Sequence, residues 1–222
     1  MELFYVGSAP AETVAQLLWK VLAPIERSYI PVPAQTPFQD AGSSHAAEDA
    51  DAAQSVLCMG FVTPITGASP DFAAMQVLNN IFGAGMTSKL FTQIREKMSL
   101  CYAIGSGYYA SKGIITVSAG IDGEKEPLVR GEILNQLDAC RRGEITEAEL
   151  VSSKEAILSS LRSVHDSPGS IESYYSTHLL SGAFRTPQQY MDEIRAVTLE
   201  DVIAAAGTVA PHSSYFLKGA EA

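Results

Sequence analysis

The sequence predicts an α+β fold, with one mostly antiparallel sheet of about five to six strands and helices packed on one face. Two extended runs, residues 102–109 and 113–121, are joined by a polar turn at residues 111–113 and predict a β-hairpin. From Pro127 onward, helix-start signals follow one another closely. Residues 213–218 return as a last strand. Hairpin strands mixed with clustered helices are typical of an α+β domain.

The N-terminal region begins with an apolar run, residues 2–6, which predicts a buried strand. Pro10 then marks a first helical turn, and apolar residues at helical spacing predict a helix to about Ala23. Residues 24–53 are rich in proline, glycine, serine and acids, and they predict a long internal loop. Because one strand and one helix could not bury a core by themselves, we interpret residues 1–222 as a single domain.

The middle of the chain predicts one strand and two helices. Residues 54–62 are β-branched and apolar, as in a buried strand. Residues 69–71 combine a cap, a proline and an acid, which is a strong helix start. That helix runs into Gly83 and Gly85, either of which can adopt a positive φ and break it. A second apolar stripe of helical period predicts another helix, which carries Arg95 in its last turns.

The C-terminal half predicts five helices. The first begins at Pro127 and the third at Pro168. A capping box that starts at Thr146 opens the second. Two shorter helices begin at Thr186 and Thr198 by the same pattern of a capping hydroxyl.

The composition excludes some classes of partner. The 222 residues are 46% hydrophobic and 18% charged, which is ordinary for a globular protein. The net charge of −10 disfavours binding to the phosphate backbone of nucleic acids and to anionic membrane surfaces. No apolar run approaches the ~18 residues of a membrane span. We expect neither a nucleic acid nor a membrane as partner.

The cysteines and the N-terminus indicate a compartment. Cys58, Cys101 and Cys140 form no C-x-x-C pair, and an odd number of cysteines favours reduced thiols. Met1 is followed by neither a basic region nor a long apolar one, so no leader is predicted. We expect a cytoplasmic protein.

Several kinds of catalytic centre are disfavoured by residue spacing. The closest pair of the four histidines is thirteen residues apart, so the H-x-x-E-H zinc motif is missing and no metal site is predicted. The sequence Gly105-Ser106-Gly107 is not the G-x-S-x-G elbow of serine hydrolases. The Gly83–Lys89 stretch matches neither the dinucleotide fingerprint nor the P-loop.

The most informative stretch is residues 82–102, where Thr87 or Ser88 can cap the helix that follows the glycines. Arg95 near the end of that helix and Tyr102 at the start of the next strand are seven residues apart, and the turn between them lets their side chains converge. A structural role explains both, since a cation stabilises a helix C-terminus and a tyrosine at a strand end is common. A functional role fits too, because a guanidinium and a phenol can donate hydrogen bonds to a peptide carbonyl or a developing oxyanion.

The same stretch resembles a known family. Gly-Ala-Gly-Met-Thr-Ser-Lys-Leu-Phe, Ile-Arg-Glu-Lys and Leu-Cys-Tyr, all within residues 82–102, are similar to the signature of the non-zinc half of pitrilysin/insulinase-type metallopeptidases. This group includes the mitochondrial processing peptidases and bacterial relatives. The resemblance extends from residues 3–7 to residues 215–218. Ala84, which interrupts a glycine run, and Lys89, where arginine is common, depart from the family pattern.

The resemblance implies a role in proteolysis and leaves a non-proteolytic role as the alternative. The chain would be one α+β half that completes the active site of a zinc-bearing half and is not catalytic alone. Arg95 and Tyr102 match the two residues that bind the substrate peptide in the family. Zinc would lie in the partner half, which is either part of a longer chain or a separate subunit. The alternative is a scaffold or assembly subunit of the same fold without proteolysis, because a fold does not certify an activity.

Overall fold

The computed structural model describes residues 3–26, 28, 42–180 and 183–219. The strands are β1 His45–Asp49, β2 Ser55–Val62, β3 Ala103–Tyr109, β4 Ile114–Ile121 and β5 Ala210–Lys218. The α-helices are α1 Ala11–Leu22, α2 Phe72–Asn79, α3 Glu126–Arg141, α4 Glu147–Arg162, α5 Pro168–Leu180, α6 Pro187–Ala196 and α7 Leu199–Thr208. Two segments are π-helical, Asn80–Ala84 and Leu90–Lys97, and two short 3-10 turns span Gly123–Lys125 and Ser163–Asp166.

The five strands form one mixed sheet in the order β1-β5-β2-β4-β3. The edge pair β1–β5 is parallel, and the other three pairs are antiparallel. β3 and β4 are the predicted hairpin, with Tyr109 opposite Ile114 next to the turn. The prediction of an α+β fold with one mostly antiparallel sheet is confirmed.

The hydrophobic core lies on one face of this sheet. The side chains of β2 alternate between buried and partly exposed, with Leu57, Met59 and Phe61 on the buried side. These residues form one cluster with the apolar side chains of α2, α3 and α7. Phe61 is fully buried, so its truncation to alanine would cost about 3–5 kcal/mol.

Local capping signals locate the C-terminal helices correctly. At the starts of α4, α6 and α7, the hydroxyls of Thr146, Thr186 and Thr198 each accept a hydrogen bond, 3.2 Å long, from the backbone N–H three residues later. In each case the side chain of that later residue bonds back to the cap, which completes a capping box. The capping box predicted at Thr146 is therefore confirmed.

The N-terminal region differs from expectation. Residues 3–6 have no regular secondary structure and are largely exposed, so the predicted strand at 2–6 is wrong as far as these residues are described. The helix α1 forms as predicted, but none of its side chains is buried. An apolar run alone does not make a strand when no neighbouring strand pairs with it.

The region predicted as a long loop contains a strand. β1 lies inside residues 24–53, while residues 27 and 29–41 are outside the described part of the chain. The sequence of β1, His-Ala-Ala-Glu-Asp, has two adjacent alanines as its only apolar residues, and all five residues are exposed, so it lacks the alternation that predicts a strand. It forms by pairing with β5. The extent of the domain, residues 1–222, stays a prediction.

Within the described ranges, no helix combines the length and the apolar character needed to cross a bilayer.

Candidate functional site

Lack of space for a side chain explains the presence of Gly83, one of the two glycines that precede Arg95 and Tyr102 in the chain. α2 continues directly into the π-helical turn Asn80–Ala84, and Gly85 leaves it in an extended conformation with φ −90°. A Cβ on Gly83 would lie 2.7 Å from atoms of both Leu90 and Ser106. Neither glycine is among those with positive φ, so the expected conformational reason is wrong and the reason at Gly83 is space.

The second π-helical segment, Leu90–Lys97, carries Arg95. Of the two predicted capping residues, Ser88 accepts a hydrogen bond of 3.4 Å from the backbone N–H of Phe91. Leu90 and Ile94 are buried and anchor the segment to the core. Arg95, the next residue after Ile94, is exposed.

A tight corner follows the segment. Ser99 has a positive φ of 51°, a conformation that few residues other than glycine adopt. The backbone N–H of Leu100 donates to the carbonyl of Ile94 at 3.0 Å, which closes the corner. The N–H of Tyr102 then donates to the carbonyl of Gly120 at 2.8 Å, so the chain joins the sheet just before β3 begins.

The corner brings the two predicted site residues together. The Nε of Arg95 donates to the carbonyl oxygen of Tyr102 at 3.0 Å. The guanidinium carbon lies 4.7 Å from the centroid of the Phe91 ring, a cation–π distance. Among the described residues, the two terminal nitrogens of Arg95 have no hydrogen-bond partner. Its charge is held in place, and no carboxylate in the described part of the chain forms an ion pair with it.

The Tyr102 hydroxyl has a partner that the sequence did not suggest. It donates to Asp122 Oδ1 at 2.6 Å, and the Nζ of Lys125 lies 2.7 Å from Asp122 Oδ2. Asp122 follows β4 and Lys125 ends the 3-10 turn after it. The sequence contained one signal for this contact. Asp122 directly follows β4, and β3, the hairpin partner of β4, begins next to Tyr102.

These contacts determine the protonation states. The hydrogen bond to Asp122, and then the charge of Asp122, raise the pKa of Tyr102. Hydrogen bonds from Lys125 and from Tyr102 lower the pKa of Asp122. The hydrogen bond to Asp122 raises the pKa of Lys125. At neutral pH the site therefore contains a neutral phenol, a carboxylate and an ammonium.

The side chains face open space. A cavity of about 380 Å³ is lined by Arg95, Ser99, Leu100, Cys101, Tyr102, Asp122 and Lys125. A second cavity of about 820 Å³ shares Tyr102 and Asp122 and extends along the ends of β2 and β5. Tyr102 is 61% exposed. A segment of another molecule could therefore contact Arg95 and Tyr102 from the same side.

The site has hydrogen-bonding groups but lacks an activated nucleophile. Burial raises the pKa of the half-buried Cys101, while the charges of Arg95 and Lys125 lower it less, so the thiol stays protonated at neutral pH. The described part of the chain contains no group of three or more histidine, cysteine or acidic residues that could hold a metal ion. Binding and orientation of a ligand are what these residues can do chemically.

A family model described as the peptidase M16 inactive domain matches residues 1–157. The chain is 26% identical over its full length to a Bacillus subtilis protein named probable inactive metalloprotease YmfF, and it covers 52% of that protein. It is 31% identical over 67% of its length to an uncharacterized zinc protease, YmxG, of the same organism, and it covers 37% of that protein.

A solved structure agrees with these matches. A conserved protein from Enterococcus faecalis has a TM-score of 0.82 and 27% identity to this chain. The comparison covers 96% of this chain and 50% of that protein. The chain therefore spans about half the length of these two proteins, the Bacillus subtilis YmfF protein and the Enterococcus faecalis protein.

Proposed function

The chain belongs to the peptidase M16 inactive domain family, and we propose that it is the non-zinc half of a zinc metallopeptidase. In this proposal it binds a peptide substrate and completes the active site of a zinc-bearing half. That half is either a further part of a longer chain or a separate subunit. The chain's span of about half the relatives' length supports the need for a second half.

One observation carries the proposal: Arg95 and Tyr102 line the same open cavity at the helix-to-strand corner. Among the described residues, the terminal nitrogens of Arg95 lack partners, and a guanidinium presents its donors in a planar fork that suits a peptide carbonyl. The Tyr102 hydroxyl, which lines the same cavity, is held by Asp122. Both groups can hold an extended peptide without contributing a nucleophile.

The division of labour between the halves follows from chemistry. When bound in the partner half, zinc would supply an activated water for peptide hydrolysis. Arg95 and Tyr102 would orient the peptide, which converts a loose encounter into a fixed geometry. Donors that are preorganised in a site partly shielded from water are also more effective than the same donors in solution.

A cytoplasmic location is part of the proposal. The three cysteines Cys58, Cys101 and Cys140 are free thiols, which is the usual state in a reducing compartment. Fractionation of cells that produce the tagged full-length protein tests this point, and recovery outside the cytoplasmic fraction contradicts it.

The second candidate is a scaffold of the same fold that takes no part in proteolysis. It is favoured by the name of the relative that matches this chain over its full length, which is called a probable inactive metalloprotease. In that case Arg95 and Tyr102 would have only local structural contacts.

Reconstitution distinguishes the two. The chain, its candidate zinc-bearing half and their mixture are each tested for zinc content and for hydrolysis of a fluorogenic peptide library. We expect stoichiometric zinc only where the partner half is present, and hydrolysis that rises by orders of magnitude when both halves are mixed. A mixture that forms a stable complex but is no more active than the partner half alone would favour the scaffold.

A further inference from the structure

The direction of one hydrogen bond restricts what the site can recognise. A phenol carries a single proton and can also accept hydrogen bonds through its oxygen. The proton of Tyr102 is donated to Asp122 Oδ1 at 2.6 Å. Since a carboxylate only accepts, the arrangement cannot reverse while Asp122 is charged. What the Tyr102 oxygen offers to a ligand is therefore acceptor capacity.

Asp122 is itself held in place from its other side. Lys125 lies three residues later in the chain, and its Nζ is 2.7 Å from Asp122 Oδ2. The backbone of the same turn is closed by a hydrogen bond of 3.0 Å from the Lys125 N–H to the Asp122 carbonyl. The two carboxylate oxygens thus have different partners, and this fixes which of them faces the phenol.

Arg95 offers the opposite polarity. It has no acceptor, and its Nε is already used on the Tyr102 carbonyl. The site therefore presents a donor group and an acceptor group to one cavity at this corner. In an extended chain, the N–H and the C=O of one residue point to the same side and are paired together in an antiparallel ladder.

We infer that Asp122, anchored by Lys125, is a positioning residue that fixes the Tyr102 hydroxyl as an acceptor for a substrate N–H, while Arg95 donates to a substrate carbonyl. This inference rests on the proposed function. The ligand class is the backbone of an extended peptide, recognised without regard to its side chains. The amide that supplies the N–H is then a specific position of the substrate.

An asparagine at position 122 is expected to invert the hydrogen bond. The Lys125 ammonium attracts the amide oxygen and repels the amide NH2, so the NH2 group would face Tyr102. An NH2 group only donates, and the phenolic oxygen would accept from it. The Tyr102 proton would then be free to donate to the ligand.

The first measurement uses the chain alone and does not depend on activity. The phenol carbons are labelled with 13C, the Tyr102 signal is assigned with Tyr102→Phe, and its shift is followed against pH. Asp122→Asn is expected to lower the pKa of Tyr102. Glu48→Gln is the matched control, since Glu48 accepts the hydroxyl of Tyr215 and raises the pKa of that residue instead. An unchanged titration of Tyr102 in Asp122→Asn would overturn the positioning role.

The second measurement uses the assembled enzyme and substrates in which one non-scissile amide at a time is replaced by an ester, which removes one N–H. We expect one position where the ester lowers kcat/KM several-fold to about tenfold, the usual effect of one hydrogen bond. That loss should disappear in Asp122→Asn and in Tyr102→Phe, and it should persist in Glu48→Gln. If no position has a loss that depends on Asp122, the acceptor role is wrong.

The two measurements separate the inference from the proposed function. If turnover is insensitive to Tyr102→Phe, the role of the site in substrate binding fails, and the acceptor role fails with it. The titration of Tyr102 still decides whether Asp122 positions the hydroxyl. Should Asp122→Asn fold poorly, Lys125→Met releases the same carboxylate from its other side and is expected to weaken the amide preference without abolishing it.

Discussion

Lys89 and Arg95 are two cations of one motif, six residues apart, and they have different surroundings. The side chain of Lys89 is only 8% exposed, and its Nζ lies 2.9 Å from Glu149 Oε1 on α4. Arg95 is exposed, bonds a backbone carbonyl and faces a cavity. Lys89 therefore joins the motif to the helical layer, whereas Arg95 faces the cavity in which we propose that a peptide binds.

The difference shows how one motif can contain two kinds of constraint. A buried lysine without its carboxylate is costly, so Lys89 and Glu149 stabilise the fold only as a pair. Glu149 also accepts the backbone N–H of Thr146 at 2.7 Å, which links the same pair to the start of α4. Arg95 has no such carboxylate partner among the described residues, and its loss should affect a ligand more than the fold.

The largest expected effect is on turnover. Arg95→Ala in the assembled enzyme should lower kcat/KM by about 10²- to 10³-fold, as the loss of one preorganised donor does. The free energy of unfolding should change by only about 1 kcal/mol, because Arg95 is exposed and loses one hydrogen bond and one cation–π contact. Arg142→Ala is the control, since it removes an exposed arginine paired with Glu144. If Arg95→Ala and Arg142→Ala had the same kcat/KM, Arg95 would have no role in turnover beyond that of an ordinary exposed arginine.

The next effect is on stability. Glu149→Gln keeps an acceptor for the capping box but leaves Lys89 buried without a charge partner. We expect a loss of about 2–3 kcal/mol in chemical denaturation, below the range for fully buried pairs because Glu149 is partly exposed. Glu144→Gln, from an exposed ion pair, should have a much smaller effect on the free energy of unfolding. If both glutamate variants were equally stable, Lys89 would not be the structural cation of the motif.

A smaller effect separates two tyrosines that have similar hydrogen bonds. The hydroxyl of Tyr102 bonds Asp122, and that of Tyr215 bonds Glu48. In the sheet Tyr215 is paired with Ala46 and Cys58, whereas Tyr102 accepts a hydrogen bond from Arg95 through its backbone carbonyl. Tyr102→Phe should lower kcat/KM about tenfold through one lost hydrogen bond, and Tyr215→Phe less than about twofold. Similar losses would mean that the cavity beside Tyr102 has no special role.

The smallest effect depends on pH. Burial raises the pKa of Glu149, but hydrogen bonds from Thr146 and Lys89 outweigh it and lower the pKa overall. A lowered pKa in the folded state means that the carboxylate contributes stability above its unfolded pKa and loses it as the pH falls. The difference in unfolding free energy between wild type and Glu149→Gln should therefore narrow as the pH falls from neutral through the folded pKa of Glu149. A gap that widens in acid would contradict this sign.

Local signals were enough for most of the fold. The hydroxyl caps at Thr146, Thr186 and Thr198 each bond a backbone N–H three residues away, so nothing distant has to be known. The hairpin of β3 and β4 is local in the same sense. The strand predicted at residues 2–6 was wrong because a strand needs a partner, and local pattern does not provide one. β1 was missed for the converse reason, since its partner β5 lies about 170 residues away.

For the candidate site, the family resemblance of one motif led to the prediction of Arg95 and Tyr102, and the single turn between them accounts for their contact in the structure. Asp122 and Lys125 were not predicted, since Asp122, with Lys125 bound to it, reaches Tyr102 only when β4 pairs with β3. The same pairing decides that the phenol gives its proton to a carboxylate rather than to a ligand. Residue types determine which hydrogen bonds a side chain is able to make, but long-range packing selects which of them it makes, because a hydrogen bond acts over about 3 Å.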